Sequence, residues 1–139
     1  MKQFSNEITF QTTGSSLLDV TGPVRGWLNE QAIEQGLLTV FIRHTSASLT
    51  IQENADQDVL YDLNNFFRRI VPESTGLYRH NAEGPDDMPA HIKSALTQTQ
   101  LTIPIVDGEL VLGVWQGIYI FEHRAHAHKR NISLHIIGE

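Results

Sequence analysis

Leu101-Thr102-Ile103-Pro104-Ile105-Val106-Asp107-Gly108-Glu109-Leu110 is the stretch from which the fold is read. Apolar and β-branched residues run up to Val106 and then meet Asp-Gly. Asp-Gly between two such runs is a strong hairpin signal, because both central positions of a tight type I′ turn require positive φ. The stretch therefore predicts two antiparallel strands, one from Leu101 to Val106 and one from Glu109 to Leu112.

Outward from this hairpin, Gly117 to His123 and Ile132 to Ile137 read as further strands. On the other side, Pro89 to Thr97 reads as a short helix, opened by Asp87 and Pro89, with Asp87 as its N-cap. Gly76 to Met88 is a polar loop broken by Gly84-Pro85. Asp56 is placed to cap a longer helix whose apolar face is Val59, Leu60, Leu63, Phe66, Phe67 and Ile70, and Pro72 ends it. Leu37 to Arg43 is a strand, and Thr45 to Ile51 continues it or pairs with it. A first helix starts with Thr21 as N-cap and Pro23 in its first turn, carries Val24, Trp27 and Leu28, and stops at Gly36. Phe4, Ile8 and Phe10 share one parity and mark an opening strand. About seven strands and three helices in mixed order predict one α+β domain over 1–139, with a largely antiparallel sheet.

Composition removes several function classes. The 139 residues include no cysteine, so a disulfide framework, a thiolate zinc site and a cysteine nucleophile are all excluded. Any metal must be held by His, Asp, Glu or water. The net charge of −6 and the absence of a basic stripe argue against a nucleic-acid partner. Arg68-Arg69 and Lys129-Arg130 are isolated pairs. No apolar run reaches the roughly 18 residues of a membrane span, and Met1 to Glu7 has no apolar signal core. The expected location is the cytoplasm, with no membrane partner.

Four segments concentrate polar side chains. Arg43-His44-Thr45-Ser46-Ala47-Ser48 closes a strand, and parity puts Val40, Ile42, His44 and Ser46 on one face. Gln52-Glu53-Asn54-Ala55-Asp56-Gln57-Asp58 mixes helix-capping acids with Glu53 and Asn54, which capping does not explain. In His80-Asn81-Ala82-Glu83-Gly84-Pro85-Asp86-Asp87-Met88-Pro89-Ala90-His91, two histidines bracket acids on a loop that enters a helix. In Gly113 to Arg124, Trp115 is assigned to the core, and parity sends Glu122 and His123 to opposite faces. His126, His128 and His135 are assigned to the surface.

The residues suggest a metal site. Imidazoles from His44, His80, His91 and His123 are the candidate ligands, three of the four being enough to hold a divalent ion with a position open. Zinc comes first, then manganese or magnesium. Glu83 and Asp86 are candidates for orienting the imidazoles. Asp86 and Glu122 are the candidate catalytic acid–base groups. Ser46, Ser48, Gln116 and Arg124 are candidates for hydrogen-bonding a phosphorylated small molecule, and Asn54 joins them as a substrate-binding candidate.

Taken in order, these motifs resemble the YjbQ family. The matching stretches are His44 to Ile51, Glu53 to Asp56, Tyr78-Arg79-His80, Glu83-Gly84, Asp86 to Ser94, Trp115 to Tyr119 and Glu122-His123-Arg124. The resemblance implies an α+β fold assembled as a homotrimer and a histidine-lined pocket able to hold a metal. It also implies a secondary thiamine-phosphate synthase activity, which joins a pyrimidine methyl diphosphate to a thiazole phosphate and releases pyrophosphate. His44, His80, His91 and His123 match the shared histidines. Ser46, Asn54, Asp86, Asp87, Gln116, Glu122 and Arg124 match shared polar positions. Val114 stands where threonine is common, and Gln57 where proline is common. The alternatives are a metal-dependent hydrolase of another small substrate and a non-enzymatic trimer that binds a metal or metabolite.

Overall fold

The computed structural model describes residues 1–74 and 76–139. Along the chain the elements are β1 (Lys2–Gln11), β2 (Ser16–Asp19), α1 (Thr21–Asn29), β3 (Gln35–Ile42), β4 (Ala47–Glu53) and α2 (Gln57–Ile70). They continue with α3 (Asp87–Leu96), β5 (Gln100–Val106), β6 (Glu109–Leu110), β7 (Gln116–Glu122) and β8 (Lys129–Gly138). The strands form a five-stranded sheet, β1-β8-β3-β5-β6, and a three-stranded sheet, β2-β7-β4. Every pairing within them is antiparallel. The α+β class and the antiparallel pairing agree with the sequence reading.

Period-two patterning explains the large sheet. Leu38, Val40 and Ile42 of β3, Leu101, Ile103 and Ile105 of β5, and Ile132, Leu134 and Ile136 of β8 all face one buried layer. Ala47 and Leu49 of β4, Ile118 and Ile120 of β7, and Val24 and Leu28 of α1 close it from the other side. Strand β7 is buried from Gly117 to Glu122 without alternation, as befits a central strand covered on both faces. On its second face the Phe121 ring meets Phe67 of α2 edge-on, 5.4 Å between centroids.

The Asp107-Gly108 turn forms as expected, with φ of 52° and 77°, and Asp56 caps α2 by accepting the Asp58 N–H. Other expectations are corrected. Among the described residues there are eight strands, because the short Ser16–Asp19 pairs with β7. Strand β4 pairs with β7, not with β3. Helix α1 ends at Asn29, and Gly36 lies in β3, where a Cβ would come within 2.5 Å of the Ile137 carbonyl oxygen on β8. Thr21 does not cap α1; its hydroxyl accepts the Ile118 N–H and so ties the helix to β7. Trp115 is 63% exposed, because it lies on the loop before β7, not on the strand.

The two sheets are joined by a buried ion pair. Glu122, the last residue of β7, is fully enclosed and takes both Nε–H and Nη2–H from Arg130 of β8. Thr12, just past β1, donates to the same carboxylate at 2.6 Å, and Arg130 also donates to the Ser46 carbonyl and hydroxyl before β4. Removing one partner strands the other charge. Arg130→Met is therefore expected to lower stability by ~3–5 kcal/mol, and adding Glu122→Gln is expected to recover a large part of it. Urea unfolding of the two variants checks this; equal midpoints for the single and double variants would contradict it.

Candidate metal centre

Helix α3 builds the site because Asp87 and His91 are four residues apart on one helical face. The preceding loop returns His80 and Glu83 over that face. One donor atom from each of His80, Glu83, Asp87 and His91 lies within 4.8 Å of all the others. Asp87 Oδ2 is the hub, at 2.6 Å from His80 Nε2 and 3.1 Å from His91 Nε2. Glu83 Oε2 lies 3.2 Å from His80 Nε2. The expected N-cap role of Asp87 is thus corrected: it starts α3 inside the helix, and its buried carboxylate serves the imidazoles.

Proton accounting shows why these residues suit a cation. A backbone carbonyl only accepts, so His91 Nδ1–H donates to the Thr45 oxygen at 2.9 Å. In neutral His91 the other nitrogen then presents a lone pair to the Asp87 carboxylate. Two acceptors facing each other at 3.1 Å need a positive charge between them, a proton or a metal ion. An imidazole whose second nitrogen is held by a carbonyl is also the usual arrangement behind a metal ligand. The donor set, two imidazoles and two carboxylates without thiolate, could hold a divalent ion.

Arg124 supports the cluster from below. It donates to Asp86 at 2.9 Å, approaches Asp87 Oδ1 at 2.8 Å, and reaches the Glu83 carbonyl at 3.1 Å. Burial alone would raise the Asp86 pKa, but the Arg124 bond and the Ala125 N–H outweigh it and hold the group below its ordinary value. Burial likewise works against ionised Asp87, and the His80 bond and Arg124 charge overcome it. The His80 pKa is raised, chiefly by its hydrogen bond to Asp87.

The four histidines expected in one place do not all converge, although His44 and His91 line one cavity of about 230 Å3. His80 and His91 enter the cluster; His44 and His123 do not. His44 Nε2 accepts the Asn131 N–H at 2.8 Å, and burial followed by the nearby Arg130 lowers its pKa. That lone pair is spent on β8 backbone. His123 is 2% exposed, with Nε2 at 2.8 Å from the Ser48 hydroxyl. Burial, then the charges of Lys93 and Arg130, push its pKa down to about 3. Glu122 and His123 do take different partners, although both are buried.

The remaining residues also disperse. Asp86 and Glu122, read as acid–base candidates, sit in enclosed ion pairs with Arg124 and Arg130. Arg124 is turned onto acids, not outward. Ser46 binds Arg130, and Ser48 is fully buried. Asn54 and Gln116 lie at the other end of the β4–β7 pair, ~20 Å from Ser48 and Glu122 by strand rise. There Asn54 donates to the Val114 and Gln116 carbonyls. Arg130 and Lys93 are the functional-looking residues the sequence reading missed. Only their burial singles them out.

Comparison with known proteins adds the lineage. The family model described as UPF0047 protein YjbQ-like matches residues 6–139. A UPF0047 protein of Synechocystis is 50% identical over 138 residues, covering 99% of this chain and 94% of its own. The YjbQ protein of Escherichia coli O157:H7 is 48% identical over 104 residues, 75% of each chain. The crystal structure of a YjbQ/UPF0047 protein from Clostridium acetobutylicum superposes with a TM-score of 0.86 at 33% identity, covering 95% of this chain and 99% of that one.

A pH effect follows from His123. Its depressed folded-state pKa means the unfolded chain binds a proton that the native state refuses between about 3 and 6.5. That contribution to stability is present above pH 6.5 and is lost as pH falls towards 3, by on the order of a few kcal/mol. Urea midpoints at pH 7 and pH 4.5 should differ by less in His123→Gln than in the parent. An unchanged difference would contradict the assignment.

Proposed function

The chain belongs to the YjbQ-like UPF0047 family, and from that membership we propose a metal-assisted enzyme acting on a phosphorylated or diphosphorylated small molecule. The named reaction is formation of thiamine phosphate from a pyrimidine methyl diphosphate and a thiazole phosphate. The observation that carries the metal-assisted reading is the His80, Glu83, Asp87 and His91 cluster, with its imidazole lone pair facing a carboxylate.

Zinc is the first choice for this donor set, with manganese and magnesium as alternatives. A divalent ion held there supplies positive charge to offset a departing pyrophosphate. The chain's own residues hold the donors in place: Thr45 fixes the His91 ring, and Arg124 fixes Asp86 and Asp87.

The chemistry agrees with the state of the acids. The thiazole nitrogen lone pair forms the new N–C bond as the C–O bond to the diphosphate breaks. Both bonding electrons leave with pyrophosphate, so no proton has to be removed from either substrate. Such a reaction asks for charge compensation and positioning, not a general base. Enclosed Asp86 and Glu122 fit that demand, and an activated-water hydrolysis does not favour them.

The purified protein is to be stripped with a chelator, reloaded with zinc, manganese or magnesium, and supplied with both precursors. Turnover is expected only after reloading, and to fall by about 100-fold or more in His91→Ala and Asp87→Asn. Activity indifferent to the chelator and to both substitutions would overturn the proposal, as would tight metal binding with no turnover. The homotrimer is part of the same proposal. Sedimentation is expected to give three times the chain mass, and a monomer would remove that part.

A further inference from the structure

A second cavity, of about 320 Å3, lies away from the metal cluster and shares no residue with it. The turn between β1 and β2 supplies Thr13 and Ser15, α2 supplies Arg68, α3 supplies Lys93, and the residue after β7 supplies His123. Glu73 is the one carboxylate on its wall. Lys93 and His91 project from roughly opposite sides of α3, since two helical positions turn by ~200°.

Two of these groups are incomplete without a ligand. Lys93 is 4% exposed, and among the described residues its ammonium has no hydrogen bond or ion pair. The stem is enclosed while the ammonium is not itself a sealed atom, and a cation so withdrawn from water is costly unless an opposite charge offsets it. Its pKa is lowered by that burial. The second group is His123. Its Nδ1 is, among the described residues, the one buried side-chain nitrogen or oxygen without a hydrogen-bond partner.

The Ser48 chain fixes the tautomer of His123. Thr97 Oγ1 lies 2.6 Å from Ser48 Oγ, which lies 2.8 Å from His123 Nε2. Thr97 Oγ1 also lies 2.7 Å from the Lys93 carbonyl, which only accepts, so Thr97 donates there, Ser48 donates to Thr97, and the neutral ring donates from Nε2–H to Ser48, leaving a lone pair on Nδ1. Two cations, one carboxylate, the Thr13 hydroxyl and an imidazole lone pair able to accept the P–OH of a monoanionic phosphate make a cavity of net positive charge, while the Ser15 hydroxyl is spent on Asn64.

We propose that this cavity binds the phosphate group of a small organic phosphate monoester, with Lys93 and Arg68 providing the charge and Thr13 a hydroxyl donor. A neighbouring cavity of about 520 Å3 shares Ser15 and Arg68 and adds Leu17, Leu60 and Tyr61. It offers the organic part of such a ligand an apolar wall next to its phosphate. That the ligand is a substrate rests on the proposed function; the binding itself does not.

Calorimetric titration of inorganic phosphate and of phenyl phosphate into chelator-treated protein tests this at fixed ionic strength. Expected are saturable binding of one ligand per chain, tighter for phenyl phosphate, and a loss of at least ~10-fold in affinity in Lys93→Met and in Arg68→Ala. Arg68 is exposed, so its substitution leaves the fold intact if Lys93→Met does not. Binding is expected to persist in His80→Ala and His91→Ala, even where turnover is gone. Absence of saturable binding overturns the proposal. So does undiminished affinity in Arg68→Ala and a folded Lys93→Met, or phosphate binding that needs His91 and a metal. Equal affinity for the two ligands overturns the organic-monoester assignment.

Discussion

The ion pair between Glu122 and Arg130 is the constraint on which the rest hangs. Both side chains are withdrawn from water, where a single uncompensated charge would not survive. The carboxylate is filled by Arg130, Thr12 and the Arg124 amide. Those contacts bind the end of β7, the start of β8 and the exit of β1 at one point. The chain leaving β7 therefore has a fixed direction. His123 turns to Ser48 and the cavity it shares with Lys93, while Arg124 turns to Asp86 and Asp87 beneath the candidate metal cluster. Two chemical environments are set by one buried charge pair.

Helix α3 divides those environments. Asp87 and His91 face the cluster, and Lys93 faces the cavity. A helix braced by Ser94, whose hydroxyl donates to the Ala47 carbonyl, and by His91, which donates to Thr45, keeps the two faces at a constant spacing. Ten residues thus carry a carboxylate and an imidazole on one side and a cation on the other.

What the sequence disclosed was local. The Asp107-Gly108 turn and the Asp56 cap depend on neighbours within three residues, and both formed as read. The hydrophobic parity of β3, β5 and β8 was equally plain. Long-range choices were hidden. Nothing near His44 announces that an amide 87 residues away will consume its lone pair. Asp87 looks like a cap until loop residues His80 and Glu83 fold back over it. Strand β7 lost its alternation because a helix covers its outer face, so parity said little about which residues were hidden. Arg130 read as half of an isolated basic pair and Lys93 carried no local signal, since burial is a property of the assembled layers.

The place of β8 has a consequence for how the molecule comes into being. It is hydrogen-bonded to β1 on one side and to β3 on the other, with Lys2 opposite Gly138 at the far register. An inner strand of the larger sheet is thus the last of its five in chain order, and β1 pairs with it across more than a hundred residues. Nascent β1 and β3 present open edges that only β8 can fill. Closing that gap is a non-local, entropically slow step, slower than in a sheet built from successive hairpins.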